Sequence, residues 1–421
     1  MFKFVHAADI HLDSPLRGLE RYEGAPVDQV RDATREAFRN LVGLAVDEKV
    51  EFVLIAGDLY DGDWRDYNTG LFFAAQMSRL REAGIRVFIV AGNHDAASRI
   101  SRDLRLPDNV HLFSTREPES QVLEDIGVAI HGQGFAARAT TNNLAAGYPA
   151  AVPDCFNIGL LHTSVTGYAD HEPYAPCSLD DLLGKGYNYW ALGHVHNRQV
   201  LSEAPWTVFS GSAQGRNIRE TGTKGCTLVT VEDDGTVSVE HRDMDVLRWA
   251  LLEADATGCD APEEILELVR SCLASLLQEC DGRMLACRVR ISGHCRAHRE
   301  LSAQPERWTN EIRQLATDES GGSAWIEKVQ LRTATHINVD ELASRDDPIG
   351  DLVRSITQVA SDAGQLASLA DELSPLRARL PAELREGEDA LDLESPNAVR
   401  ELLEAAQQLL IPRLLSRGEE Q

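Results

Sequence analysis

The chain has no Cys-x-x-Cys pair. Its eight cysteines, at 155, 177, 226, 259, 272, 280, 287 and 295, are scattered through the 421 residues. That spacing excludes a zinc ribbon and offers no disulfide framework, and without a secretion signal the cysteines read as reduced thiols. No stretch approaches the roughly 20 uninterrupted apolar residues that a membrane helix needs. Met1 to Ala8 runs straight into a strand-like segment, so the expectation is a cytoplasmic protein with no membrane partner. Basic charge is scarce as well: 41 Lys and Arg against 67 Asp and Glu leave a net charge of -26. This balance argues against the basic face with which most DNA-binding domains displace counterions. A bound divalent metal can nevertheless invert the potential where a phosphate lands.

What is present is enough apolar residue for two or three domains, 43% of the chain. Short apolar runs at residues 2–5, 52–56, 87–91, 128–130, 158–161 and 189–192 alternate with amphipathic segments, the pattern of an α/β layered core. Ala37, Phe38, Leu41, Val42 and Ala45 fall at helical spacing within residues 31–46, which predicts one buried helix face. A second helix is expected over residues 69–83, and Asp234-Gly235 predicts a hairpin turn between strands at 226–231 and 237–240. Residues 247–339 read as a small α+β unit, and the rest as polar helices interrupted by an acidic linker at 381–392.

Polar clusters follow these runs: Asp9 and His11, Gly57-Asp58, Gly92-Asn93-His94-Asp95, His162, and Gly193-His194-Val195-His196. Ligands in open α/β sheets bind beyond the carboxyl ends of strands, so these residues are expected to converge. Carboxylate and amide oxygens with imidazoles, and no thiolate, suit manganese, iron or zinc. Asp-x-His and His-x-His put alternate side chains on one side of an extended segment. Glycines 57, 92 and 193 are expected where a Cβ would clash beside the metals.

The ordered set resembles the signature of calcineurin-like metallophosphoesterases. His6-Ala-Ala-Asp-Ile-His-Leu, Ala56-Gly-Asp-Leu-Tyr-Asp and Leu161-His-Thr-Ser are similar to the SbcD and YhaO exonucleases. The resemblance implies an α/β fold with a four-layer α/β/β/α core over residues 1–245, a small α+β DNA-capping domain over 246–340, and a helical tail over 341–421. It implies two divalent metal ions, Mn2+ above all: one held by Asp9, His11, Asp58 and His196, the other by Asp58, Asn93, His162 and His194. Asp58 would bridge them. His94 is left to orient the phosphate or protonate the leaving oxygen, and Asp95 either orients His94 or caps the backbone. Some relatives have a histidine where this chain has Asp61, and Asp61, Asp63 and Asp66 read as a solvated loop face.

The family's activity is DNA exonuclease and endonuclease chemistry in DNA repair, with DNA, an SbcC-like coiled-coil ATPase and a homodimer as partners. Arg283, Arg288, Arg290, Arg296, Arg299, His294 and His298 form a local basic concentration, either a DNA contact or ordinary strand-surface charge. Asp347-Pro348 and Ser395-Pro396 start amphipathic helices that either dock on the ATPase or pack on the chain itself. Two other readings stand: a phosphatase or nucleotide phosphodiesterase, and a largely non-catalytic assembly subunit.

Overall fold

Successive residues of the first strands go to opposite faces, and that alternation sets the layering. The computed structural model describes residues 1–14, 27–61, 68–97, 105–166, 174–335, 339–377, 379–380, 393 and 395–419. The acidic linker at 381–392, and Asp63 and Asp66, lie outside them.

Strand β1 (Phe2–Ala7) pairs in parallel with β2 (Phe52–Ala56), and β2 with β3 (Arg86–Val90). From these strands Val5, Ala7, Val53, Ile55, Val87 and Ile89 pack with Phe38, Leu41 and Val42 of helix α1 (Val27–Asp47) and Phe73 and Met77 of α2 (Asn68–Glu82). The alternate residues Phe4, Phe52, Leu54, Ala56, Phe88 and Val90 face a second core. That core is closed by Val128 and Ile130 of β6 (Val128–Gly132), Ile158 and Leu160 of β7 (Phe156–His162), and Tyr189 and Ala191 of β8 (Tyr189–Gly193). Their other faces send Leu161, Trp190 and Leu192 to a third cluster with Leu182 of the helix Leu179–Leu183. Helix, sheet, sheet and helix layers follow, as expected of an α/β/β/α core. Each fully buried large apolar side chain contributes about 1.5–3 kcal/mol.

The remaining strands are β4 (Val110–Leu112), β5 (Glu119–Leu123), β9 (Gln199–Glu203), β10 (Trp206–Phe209), β11 (Gly225–Val231) and β12 (Val237–Asp243). The sheet orders are β12-β11-β1-β2-β3-β4 and β5-β6-β7-β8-β10-β9. The anticipated hairpin is the antiparallel pair β11 and β12, with Gly235 at φ 84° in its turn, and it extends the first sheet beyond β1. Buried His6 links the sheets. Its Nε2–H donates to the Leu192 carbonyl at 3.1 Å, so Nδ1 accepts from the Tyr189 hydroxyl at 3.0 Å.

A three-stranded sheet follows, of β13 (Leu247–Asp255), β14 (Met284–His294) and β15 (Ala324–Ala334). Compactness divides the chain into one unit of Met1–Leu252, Leu273–Val289 and Arg313–Lys328 and another of Glu253–Cys272, Arg290–Ile312 and Val329–Gln421. Within the second, Asp347 Oδ1 accepts the backbone N–H groups of Ile349 and Gly350 at 3.1 and 2.8 Å and starts the helix Pro348–Ser361. The helices Ala363–Arg377 and Pro396–Glu419 complete this region. Val353, Leu366, Val399 and Ile411 are buried, whereas Leu376, Leu410 and Leu414 are exposed. No helix among the described residues is long and apolar enough to cross a membrane. All eight cysteines are free.

Candidate metal centre

The expected convergence takes place at the carboxyl ends of parallel strands from both sheets. Asp9 and His11 follow β1, Asp58 follows β2, Asn93 opens helix α3 (Asn93–Ala97), His162 ends β7, and His194 and His196 follow β8. Three groups have ligand atoms within 4.8 Å of one another: Asp9, His11 and His196; His11, Asp58 and His94; Asp9, Asp58 and His162. Asp58 Oδ2 lies 3.5 Å from His162 Nε2 and 4.0 Å from His11 Nε2. One carboxylate oxygen thus faces both halves of the cluster. The His194 ring is centred 5.3 Å from that of His162, and its backbone N–H donates to Asp9 Oδ2 at 2.9 Å.

The donors fit a pair of divalent cations. Asp9 Oδ1 and both ring nitrogens of His11 are buried without a hydrogen-bond partner, which interiors rarely tolerate. His162 Nδ1–H donates to the Ala56 carbonyl at 2.9 Å, which leaves the Nε2 lone pair facing Asn93 Oδ1 at 2.9 Å. Such a bond fixes the tautomer that a metal requires. Burial holds the His11 and His162 imidazoles well below their ordinary pKa, and the Arg216 charge beside His11 and the His194 ring beside His162 add to the effect. Burial pushes the Asp9 and Asp58 carboxyls upward, and at Asp58 the charges of Asp95 and Asp9 add to it. Neutral imidazoles beside buried carboxylates short of positive charge are what a cation pair would satisfy.

The backbone that presents these groups differs from the extended segments expected. Asp9, His11, Asp58 and His194 have φ of 49°, 47°, 51° and 107°. Such conformations cost on the order of 1–3 kcal/mol each for non-glycine residues and cluster at functional sites. Asp-x-His therefore converges through left-handed turns after β1 has ended, and not by strand alternation. The turns are held because Asp9 N–H and His11 N–H donate to the Gly57 and Asp58 carbonyls, both at 3.0 Å. The glycines behave as anticipated: a Cβ on Gly92 would lie 2.3 Å from Asp58 Oδ1, and one on Gly193 would lie 1.9 Å from the Ala56 carbonyl oxygen.

Two further carboxylates, Asp95 and Asp61, lie beside these ligands. Asp95 does not bond to His94; its oxygens accept the backbone N–H groups of Tyr60 and Gly92 at 3.0 Å and of Leu59 at 3.3 Å, tying two ligand-bearing loops together. Three backbone N–H groups hold it, which favours the cap over the orienting role. Asp61, expected on a solvated loop face, lies 2.9 Å from His94 Nδ1 and also accepts from the Ser14 hydroxyl at 2.8 Å. The His94 bond foremost, with Ser14 and Arg216 assisting against burial, holds its carboxyl well below the usual range.

Arg216 and Glu220 are the residues that strand-end reasoning missed. Arg216 has a guanidinium nitrogen 3.9 Å from Asp61 and another 3.2 Å from Glu220. Burial alone would raise the Glu220 pKa, but its bond to His196 and the Arg216 charge bring it down to about 2. Both lie in a polar loop between β10 and β11 with no strand end to mark them.

The basic concentration farther on is largely neutralised. Arg288 is buried and forked onto Glu327 at 2.8 and 2.9 Å, Arg283 pairs with Asp245 at 3.1 Å, and Arg290 pairs with Glu253 at 2.8 Å. Arg296 is exposed, 3.3 Å from Asp260.

Residues 2–198 match the family model of calcineurin-like phosphoesterases, and residues 249–334 match the middle domain of the metallophosphoesterase YhaO. The chain is 37% identical over 294 residues to an uncharacterized metallophosphoesterase, YhaO, of Bacillus subtilis (strain 168), covering 69% of this chain and 71% of that protein. It is 24% identical over 259 residues to the DNA double-strand break repair protein Mre11 of Sulfolobus acidocaldarius, covering 58% and 65% of the two chains. With the protein of the same description from Methanopyrus kandleri the identity is 28% over 295 residues, covering 64% and 62%. The shared domains and the converging candidate metal ligands agree: this chain belongs to the calcineurin-like metallophosphoesterases, of the SbcD and YhaO type.

Proposed function

We propose that this metallophosphoesterase is a two-metal DNA exonuclease or endonuclease that uses Mn2+ and acts in DNA repair in the cytoplasm. The observation that carries the reading is Asp58 set between two ligand groups, with His94 backed by Asp61 beside them. Similarity to proteins named for DNA double-strand break repair supports DNA as the substrate.

When bound, a cation pair supplies Lewis acidity and makes hydroxide available at neutral pH. The chain's own residues do the rest. Asp9, His11, Asp58 and His196 would hold one cation, and Asp58, Asn93, His162 and His194 the other. As a P–O bond to the sugar breaks, the leaving oxygen needs a proton, and His94 in its doubly protonated form, with Nδ1–H donating to Asp61, would deliver it from Nε2 and keep Nδ1–H. Arg216 adds positive charge near Asp61, where a phosphate oxygen would be drawn.

Chelation should abolish cleavage of a single-stranded oligonucleotide, and Mn2+ should restore it better than Mg2+, because imidazole ligands suit the former. Full activity in chelator would sink the metal mechanism. The acidity of the chain, and the pairing of Arg283, Arg288 and Arg290 with carboxylates, favour a second reading: a phosphatase or nucleotide phosphodiesterase. Turnover of a small chromogenic phosphoester with an inert oligonucleotide would establish it instead.

The tail would dock an SbcC-like coiled-coil ATPase, with exposed Leu376, Leu410 and Leu414 as the apolar contacts. Deleting residues after 344 is expected to abolish co-elution with the ATPase while leaving Mn2+-dependent cleavage largely intact. Unchanged co-elution would refute the docking role.

A further inference from the structure

Glu220 is nearly sealed from solvent, at 7% exposure, yet its carboxylate is the meeting point of several donors. Oε1 lies 2.9 Å from His196 Nδ1 and 3.2 Å from an Arg216 guanidinium nitrogen, and Oε2 accepts the Arg216 backbone N–H at 2.9 Å. An ionised carboxylate only accepts, so the proton of His196 sits on Nδ1 and the lone pair on Nε2. That nitrogen is 3.8 Å from the unpartnered Asp9 Oδ1.

His196 needs this help more than its neighbours. The side chains of His11 and His162 are completely buried, and packing holds their rings; that of His196 is 22% exposed. Its main chain is secured separately, because the His196 carbonyl accepts from Ser212 N–H at 3.0 Å and from the Ser212 hydroxyl at 3.3 Å. What Glu220 adds is therefore control of the ring.

We propose that Glu220 is a positioning residue of the metal centre: it fixes the tautomer and orientation of His196 so that Nε2 completes the cation position built with Asp9 and His11, while Arg216 holds Glu220 in place. The inference rests on His196 being a ligand, as the proposed function has it. Removing an outer hydrogen-bond partner of a ligating histidine typically weakens metal binding about 10–100-fold.

The test is Mn2+ binding to metal-free full-length chain, by calorimetry and elemental analysis, with no substrate present. Glu220→Ala is expected to weaken one of the two sites by about 10–100-fold and leave the other alone. Glu220→Gln keeps the shape and one acceptor oxygen, and should weaken the same site by about 10-fold, the low end of that range. His196→Ala should lose that site outright, and the metal-free melting temperature of Glu220→Gln should match the parent. Parent affinity in both Glu220 variants, with His196→Ala defective, overturns the positioning role and leaves the ligand assignment standing. A lower melting temperature with unchanged Mn2+ affinity would reduce Glu220 to structural bracing and equally overturns it. Two sites of parent affinity in His196→Ala would remove the ligand reading beneath it. If Glu220→Ala does not fold, the Gln variant and its specific loss at one site decide the matter.

Discussion

Asp58→Asn is expected to release both cations and to lower phosphodiester turnover by about four powers of ten, the equivalent of several kcal/mol of charge stabilisation. The expectation follows from where the carboxylate sits. Oδ2 faces His162 Nε2 at 3.5 Å and His11 Nε2 at 4.0 Å, and Oδ1 accepts the His94 backbone N–H at 2.9 Å. An amide of the same shape keeps an oxygen at one of these positions but cannot offer a charged, shared ligand. Single replacements of His11, His162, His194 or His196 disturb one half of the site, so each should cost less. The metal-free protein should respond in the opposite sense. Burial and the neighbouring Asp95 and Asp9 charges penalise an ionised Asp58, and a neutral amide removes that penalty, so the melting temperature in chelator should rise. Elemental analysis of Asp58→Asn showing two metals per chain would contradict the shared-ligand role.

Much of the core and the site was legible because both depend on local pattern. Residues 52–56 form a continuous apolar run, and β2 is buried on both faces. Asp58 and His162 stand where such runs meet polar residues, a signal that needs no knowledge of the partner strand. Edge strands were less legible. β5 reads Glu-Ser-Gln-Val-Leu and is half exposed, so its strand state comes from pairing with β6 and not from its own composition. Asp61, Arg216 and Glu220 were hidden for a different reason. A carboxylate three residues past Asp58 looks like any loop acid until His94 is folded against it, and Glu220 reaches His196 across 24 residues. Their roles are properties of the assembled site. The Arg-rich stretch at 283–299 left two readings open, because Glu253, Asp245 and Glu327, which pair with Arg290, Arg283 and Arg288, are distant in sequence.

His94→Ala is expected to keep both cations and to lower oligonucleotide cleavage by about 10²–10⁴, the range for loss of a general acid or base. The loss should depend on the leaving group. A sugar alkoxide departs poorly without a proton, whereas nitrophenolate departs readily as an anion, so a nitrophenyl phosphodiester should lose far less activity. Asp61→Ala should reproduce this pattern at smaller amplitude, since it frees the ring from its 2.9 Å bond at Nδ1 without removing the imidazole. Asp61→Asn retains an acceptor oxygen and should fall between Asp61→Ala and the parent. The geometry also contains the competing explanation, because His94 shares a group with His11 and Asp58 compact enough to hold a metal. If His94→Ala loses a cation, His94 is a ligand and Asn93 must be reconsidered. If both substrates slow equally with both cations retained, His94 orients the phosphate and some other group supplies the proton. The leaving-group series, run beside metal analysis, therefore separates the three roles available to one imidazole.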